Sequence, residues 1–251
     1  MWNEKLNAGK HIVGTMIRVV HNPAVIRIAA ASGLDFVMLD MEHGDFSLET
    51  VSIQAGVART AGLGCFVRVP ELARQCVSRA LDAGADGVMV PMIESAAQAR
   101  ALADWSKYAP VGKRGFGSAG GHTGYASASK DAPAFMKAAN ETVLAIAQIE
   151  LAEAVESVHD IAAVRGVDAL LVGPSDLSIS LGCPGDVMGA QVDRAIRRIA
   201  EAAKQAGKAF GIHGSDALLE RWIPRGLDIV MSSLDINMLG AGMAAIAAKY
   251  G

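Results

Sequence analysis

The chain is poor in cysteine, in aromatics and in clustered charge, and each shortage removes a class of protein. Its three cysteines, Cys65, Cys76 and Cys183, are odd in number and show no CxxC spacing. That argues against a disulfide framework or a zinc site and fits a reducing, cytoplasmic setting. Lys and Arg total 23 against 26 Asp and Glu, with no block of one sign, so nucleic acid and anionic membranes are not expected partners. The most apolar region, Ala24 to Leu39, is interrupted by Arg27 and Asp35 and is not a membrane span. The opening MWNEKLNAGKHIVG has no apolar core behind a basic head and is not read as a signal peptide. Aromatics are 5% of 251 residues while hydrophobic residues are 51%. A core must therefore come from small and branched side chains, as in a soluble α/β protein.

What is abundant is a cadence of Gly, an apolar residue, Asp and an apolar run. It occurs at Gly33-Leu34-Asp35, Gly84-Ala85-Asp86, Gly166-Val167-Asp168 and Gly226-Leu227-Asp228. Each glycine follows helically spaced residues, such as Val155, Val158 and Ala162, and reads as the position just past a helix end. Strands are expected at His11–Arg18, Phe36–Glu42, Gly64–Val69, Gly87–Ile93, Thr142–Glu150, Ala169–Gly173, Lys208–His213 and Asp228–Ser233. They are apolar throughout rather than alternating, which suits a parallel sheet covered on both faces. Eight strand–helix units with no linker between them predict one domain over 1–251, a single (β/α)8 TIM barrel. A doubly wound sheet is the second choice. The four cadence aspartates fall at strand beginnings and read as turn and helix-end chemistry.

Catalysis in such a barrel sits where strands end. Strand two ends in Asp40, Glu42 and His43; strand three in Arg68; strand five in Gln148 and Glu150. Strand six runs into Gly173-Pro174-Ser175-Asp176, strand seven into His213 and strand eight into Ser232-Ser233. Glu150 and Asp176 come from neighbouring strand exits and would repel without a shared proton, a counter-ion or a cation between them. Oxygen donors of this kind suit Mg²⁺ or Mn²⁺, with Co²⁺ a further candidate, and Gln148 shares their face. The segment from Gly173 to Asp176 opens a helix whose free N–H groups suit a substrate carboxylate. Arg68 is a permanent fork-shaped cation for an oxyanion. His43 is the natural proton carrier near neutral pH. Asp40, three residues earlier, would orient its ring only if the strand bends between them.

Several chemistries lack their residues. No lysine falls at a strand exit, so iminium formation is not expected, and there is no GxSxG elbow or Walker loop. Gly115-Phe116-Gly117-Ser118-Ala119-Gly120 matches GxGxxG but follows no strand, so it is not a dinucleotide fingerprint. With His122 and Tyr125 behind it, this stretch reads as a mobile active-site loop after strand four.

The series DMEHG, VRVP, LDAGADGVMVPMIESAAQA, KRGFGSA, AQIE and VGPSDLSISLG closely resembles the class II, metal-dependent pyruvate aldolases of the HpcH/HpaI type, related to 4-hydroxy-2-oxoheptanedioate aldolase. The resemblance covers nearly the whole chain. It implies that Glu150 and Asp176 hold the metal, that Arg68 contacts the keto oxygen and developing enolate, and that His43 and Asp40 form an acid–base dyad. It adds Asp82, which the residues alone place on a helix as structural. It also implies a trimer of dimers, a hexamer in which a last helix at about 238–250 packs on a neighbour. Where the family has an Arg-containing segment with an aromatic, this chain has Ala119-Gly120-Gly121-His122-Thr123-Gly124-Tyr125, so the acceptor aldehyde is the least defined part.

The expected activity is reversible cleavage of a 4-hydroxy-2-oxo acid to pyruvate and an aldehyde, with no organic cofactor. Substrate contacts are expected from Arg68, Gln148, Gly173, Pro174, Ser175, Asp176 and His122. The first alternative keeps the metal and the enolate but acts as a decarboxylase or as a lyase on a CoA thioester, for which only Lys113 and Arg114 offer cations. A phosphate-handling isomerase using Gly211 to Gly214 and Ser232-Ser233 leaves the Glu150/Asp176 pair without a purpose. A non-enzymatic assembly protein leaves every polar strand exit without one.

Overall fold

The computed structural model describes residues 2–251. Its strands are β1 (Ile12–Ile17), β2 (Phe36–Asp40), β3 (Gly64–Arg68), β4 (Gly87–Val90), β5 (Leu144–Ile149), β6 (Ala169–Val172), β7 (Ala209–Gly214) and β8 (Ile229–Leu234). The helices of the first half are α1 (Trp2–Asn7), α2 (Ala24–Ala31), α3 (Leu48–Ala61), α4 (Arg74–Asp82), α5 (Ala96–Ser106) and α6 (Ala132–Thr142). Those of the second half are α7 (Ala152–Glu156), α8 (Val158–Ala162), α9 (Pro174–Ser180), α10 (Ala190–Gln205), α11 (Asp216–Trp222) and α12 (Asp235–Tyr250). Neighbouring strands pair in parallel, and β1 also pairs with β8. The sheet is a closed barrel in sequence order. This is the (β/α)8 fold expected from the eight units, and the β1–β8 pairing excludes the open, doubly wound arrangement.

Alternation along each strand divides the apolar residues into two sets. Met16, Phe36, Met38, Phe66, Met89 and Met231 fill the barrel, while Val37, Leu39, Val67, Val88 and Ala145 face the helices. Trp2 of α1 plugs the bottom, its ring edge-on to Phe66 at 5.0 Å. Gly64 permits this, since a Cβ there would lie 2.7 Å from the indole.

The Gly–Asp cadence has a single structural cause. Gly33, Gly84, Gly166 and Gly226 all have positive φ, the left-handed turn that ends a helix without a Cβ penalty. The aspartate two residues on then accepts a backbone N–H from the preceding strand. Asp35 takes Val13, Asp86 takes Cys65, Asp168 takes Ala145 and Asp228 takes Phe210, at 2.7–3.0 Å. The cadence therefore sets the spacing at the bottom of the barrel. Lys107, buried beside Asp168 at 2.8 Å, completes one such joint.

Two features direct attention to the ends of the barrel. Helix α5 returns the chain from the top to the bottom, so the glycine-rich stretch that follows lies at the strand beginnings. Helix α12 has Asp235 as its only buried residue, while Ile236, Met238, Leu239, Met243, Ile246 and Tyr250 are exposed. Among the described residues no helix is long and apolar enough to cross a membrane.

Candidate active site

The inward register that fills the barrel with Phe36, Met38 and Phe66 continues upward to polar residues. Asp40 follows Met38 and Arg68 follows Phe66, and the two are direct partners in the β2–β3 register. Their side chains meet in a fork: Arg68 Nε donates to Asp40 Oδ1 at 2.8 Å, and Nη2 donates to Oδ2 at 2.7 Å. Asp40 Oδ2 also accepts Arg18 Nε at 2.8 Å. Its Oδ1 accepts the backbone N–H groups of Glu42 and His43 at 3.1 and 3.3 Å. Although burial alone would raise it, these donors and the Arg68 charge hold the Asp40 carboxyl below the usual carboxylate range. Arg68 Nη1 pairs with Glu42 Oε2 at 2.9 Å, where burial outweighs that attraction and pushes the Glu42 carboxyl up. Of the five N–H bonds of a guanidinium, Arg68 gives two to Asp40 and one to Met16 Sδ at 3.8 Å, while Nη1 meets Glu42 as an ion pair and Glu42 Oε2 accepts no hydrogen bond. The N–H groups of Nη1 remain, and Arg68 lines the cavity at the barrel mouth.

The chain turns back sharply beyond Asp40. Gly44 makes this turn, since a Cβ there would stand 2.2 Å from the Asp40 carbonyl oxygen. The turn carries His43 to the rim, where its side chain is 54% exposed and Nε2 lies 3.9 Å from Glu42 Oε2. The link between Asp40 and His43 thus runs through the His43 backbone amide and not through its ring.

The second polar group forms across β4, β5 and β6. Glu150, one residue past β5, is buried. Its Oε1 accepts the Met92 amide at 2.9 Å, and Oε2 accepts from Gln148 Nε2. Met92 has φ +55, a strained left-handed turn of the kind that clusters at functional sites. Gly173 has no room for a side chain, because a Cβ would lie 2.3 Å from Glu150 Oε2 and 2.8 Å from Gln148 Nε2. Asp176, in the first turn of α9, lines the same cavity with Gln148, Gly173, Pro174 and Ser175. Burial first, then the negative charges of Asp176 and Glu42, push the Glu150 carboxyl up to about 7, against the pull of the Met92 amide. Gln148 Oε1 is buried without a hydrogen-bond partner. Two carboxylates and an orphaned amide oxygen form an all-oxygen donor set that fits a hard divalent cation. Among the described residues no three His, Cys, Asp or Glu side chains gather as a ready-made metal cage, so water and substrate would complete the coordination.

A carboxyl raised in the folded state adds stability that is complete below its unfolded value, near 4.5, and is lost as pH rises through about 7. With a chelator present, unfolding in denaturant is expected to require less free energy at pH 8 than at pH 5.5. The difference due to Glu150 is at most about 3 kcal/mol, and Glu150→Gln should flatten the profile. A wild-type profile equally steep in Glu150→Gln would disprove the assignment.

The mouth is a cavity of about 620 Å³. Of the residues expected from sequence, it brings together His43, Arg68, Gln148, Gly173, Pro174, Ser175 and Asp176, with Asp40 and Glu150 buried just behind them. It does not bring in Asp82 or His122. Asp82 pairs with Arg114 at 2.7 Å. His122 places Nε2 3.0 Å from Gly117 O and Nδ1 3.4 Å from Asp82 O, and Arg59 donates to Gly121 O at 2.6 Å. His122 and Arg114 share a separate 290 Å³ cavity with Trp2, Asp86 and Val143, at the bottom of the barrel. The loop expected at the active site is thus at the opposite end of its own chain, because α5 intervenes between β4 and the loop. Lys113 pairs with Asp104 and stands with Arg114 away from the mouth.

Arg18 is a further charged residue of the mouth to which the sequence alone assigns no role. It is the last residue of the expected first strand, so its place at a strand exit is visible in the sequence. It lines the mouth and shares Asp40 with Arg68. His213 was placed at its strand exit without a role; it also lines the mouth, and burial, with Arg68 and Arg18 nearby, holds its ring below the ordinary histidine value.

A barrel mouth that joins a guanidinium–carboxylate fork to an oxygen-donor cluster holds the groups needed to stabilise negative charge developing on oxygen. The family model described as HpcH/HpaI aldolase/citrate lyase matches residues 18–231, and the chain belongs to that family. The hydroxypyruvate/pyruvate aldolase of Roseovarius nubinhibens is 32% identical over 91% of this chain and 88% of its own length. The 4-hydroxy-2-oxo-heptane-1,7-dioate aldolase of Salmonella typhimurium is 30% identical over 100% of this chain and 94% of its own. The crystal structure of an HpcH/HpaI aldolase from Desulfitobacterium hafniense DCB-2 superposes with a TM-score of 0.93 at 34% identity, covering 98% of this chain and 95% of the other.

Proposed function

We propose that the protein cleaves a 4-hydroxy-2-oxo acid reversibly to pyruvate and an aldehyde, with a divalent cation at the Glu150–Asp176–Gln148 cluster. The observation that carries this reading is the meeting of that cluster and the Arg68 fork in one mouth. Glu150, Asp176 and Gln148 Oε1 would hold the cation, which supplies Lewis-acid polarisation of the 2-oxo group when bound. The free N–H groups at the start of α9 face the substrate carboxylate. Arg68, fixed by Asp40 and paired with Glu42, offers Nη1 to the C2 oxygen, on which charge builds as the enolate forms.

His43 takes the proton of the 4-hydroxyl. The electrons of the O–H bond become the aldehyde C=O, the C3–C4 bond breaks, and its electron pair passes into the C2–C3 enolate. After the aldehyde leaves, the proton returns from His43 to C3, giving pyruvate. Asp40 serves this chemistry by holding Arg68 and, through the His43 amide, the turn that carries the base.

The test is pyruvate release from 4-hydroxy-2-oxo acids by metal-stripped protein before and after addition of Mg²⁺, Mn²⁺ or Co²⁺. Cation-dependent release is expected. If pyruvate is released equally by stripped and loaded protein, the metal assignment is wrong; if none is released under any condition, the reaction is wrong.

The exposed apolar face of α12 supports association with further copies of the chain. We place a homo-oligomer, up to a hexamer, around it. A monomer in sedimentation velocity at micromolar concentration would remove this assignment.

A further inference from the structure

The ends of three neighbouring strands repeat one pattern: an apolar side chain inside the barrel, then a charged one two residues on. At β1 these are Met16 and Arg18, at β2 Met38 and Asp40, at β3 Phe66 and Arg68. Met16 is beside Met38, Met38 beside Phe66, and Asp40 beside Arg68 in the register. Asp40 therefore stands between two arginines. Its Oδ2 accepts Arg18 Nε at 2.8 Å and Arg68 Nη2 at 2.7 Å. The Met16 thioether, fully buried in the apolar layer beneath, bridges the same two residues. Its Sδ lies 3.9 Å from Arg18 Nη2 and 3.8 Å from Arg68 Nη2. A carboxylate oxygen and a sulfur thus hold two like charges side by side.

Sulfur is a weak acceptor, and what other side chains would do here shows its use. Arg68 is only 5% exposed, so an Nη2 hydrogen without an acceptor would be a buried, unmet donor. A carboxylate at position 16 would meet it but would cancel charge that the mouth offers to an oxyanion. An alkyl side chain would preserve the charge and leave the donor unmet. A thioether accepts without adding charge, and its polarisable sulfur suits long contacts to two donors at once. Each guanidinium is then held through Nε and Nη2, which leaves Nη1 for the cavity that both residues line. Resting on the aldolase reading above, we propose that Met16 is a positioning residue. Its sulfur, together with Asp40 Oδ2, fixes the plane of Arg68 and so the aim of Nη1 at the C2 oxygen.

The experiment compares wild type with Met16→Leu, which conserves volume but has no acceptor, and with Met16→Gln, which ends in a carbonyl oxygen. Two readouts are taken: kcat and KM for pyruvate release from 4-hydroxy-2-oxopentanoate, and NMR of protein labelled with ¹⁵N-arginine. A held guanidinium shows separate, slowly averaging Nη signals, and those of Arg68 are assigned by their loss in Arg68→Lys. Met16→Leu is expected to fold, since the exchange is of like volume. Its kcat should fall about tenfold, the worth of one hydrogen bond to a charged group, with KM little changed and the Arg68 signals averaged. Met16→Gln should lose less of kcat and keep the signals. A residue that only fills the barrel predicts the reverse order, because Leu is the better core side chain and Gln buries an amide. Wild-type kcat or unchanged Arg68 signals in Met16→Leu overturns the proposal, as does a folded Met16→Gln more impaired than Met16→Leu. If Met16→Gln does not fold, Met16→Leu decides alone. Exchange of the pyruvate methyl hydrogens with deuterated water separates the two levels. Exchange in wild type with an unaffected Met16→Leu defeats only the role of Met16, whereas no exchange in wild type defeats the aldolase reading and this proposal with it.

Discussion

Arg68→Lys is expected to lower kcat for cleavage by about 10²- to 10³-fold while changing KM much less. The wild-type guanidinium is held on three sides, by both oxygens of Asp40 and by Glu42. This hold fixes the plane of the guanidinium and leaves Nη1 for the proposed substrate oxygen. An ammonium is a compact point charge that cannot span both Asp40 oxygens and reach Glu42 at once. Lysine would settle on one carboxylate and withdraw the donor from the developing enolate oxygen, a group typically worth that factor in kcat. Folding should suffer less, because Asp40 keeps Arg18 and two backbone amides, while Glu42 loses its guanidinium partner. Coupled detection of pyruvate with circular dichroism melting separates the two effects. A kcat within fivefold of wild type in a folded variant would show that Arg68 only holds Asp40 in place.

The barrel was legible because its signal repeats. Four glycine–aspartate turns and eight evenly spaced apolar runs each carry little information, but together they fix strand number and order. The structure adds the reason the aspartates recur, namely the strand amides they accept. The mouth was legible to the extent that a residue at the end of a strand in a barrel must face the top. Arg68, Gln148 and Asp176 followed from that rule, and Glu150 with them.

What sequence could not supply was the direction of loops and the details of pairing. His122 belongs to the Gly-rich loop that comes after the fourth strand in sequence, yet α5 has already carried the chain to the other end of the barrel. A rule based on order after a strand misplaces everything beyond the helix that follows that strand. Asp40 and His43 are close in sequence, and proximity suggested a ring contact. The register instead points Asp40 inward onto Arg68, and the tight turn at Gly44 throws the imidazole outward. Arg18 was passed over because a single arginine at a strand end carries no pattern; only its shared carboxylate reveals what it does.

Gly173→Ala is expected to abolish cation-dependent activity, by at least about 10²-fold, although it adds one methyl group. That methyl would stand 2.3 Å from Glu150 Oε2 and 2.8 Å from Gln148 Nε2, far inside contact distance. Glycine here is a matter of space, since Glu150 occupies the volume a side chain would need. The carboxylate cannot retreat freely, because Oε1 is fixed by the Met92 amide and the surroundings are packed. The variant must therefore rotate Glu150 or shift the β6 exit, and either movement separates it from Asp176 and Gln148 Oε1. Overpacking of this kind costs about 1–3 kcal/mol of stability, which leaves a folded protein to assay. Mn²⁺ titration followed by its paramagnetic signal should show weakened binding in Gly173→Ala, while Gly214→Ala, also at the mouth but apart from the carboxylates, retains it. Wild-type Mn²⁺ affinity in Gly173→Ala would mean that Glu150 is not a ligand, and the cation would have to be sought elsewhere in the mouth.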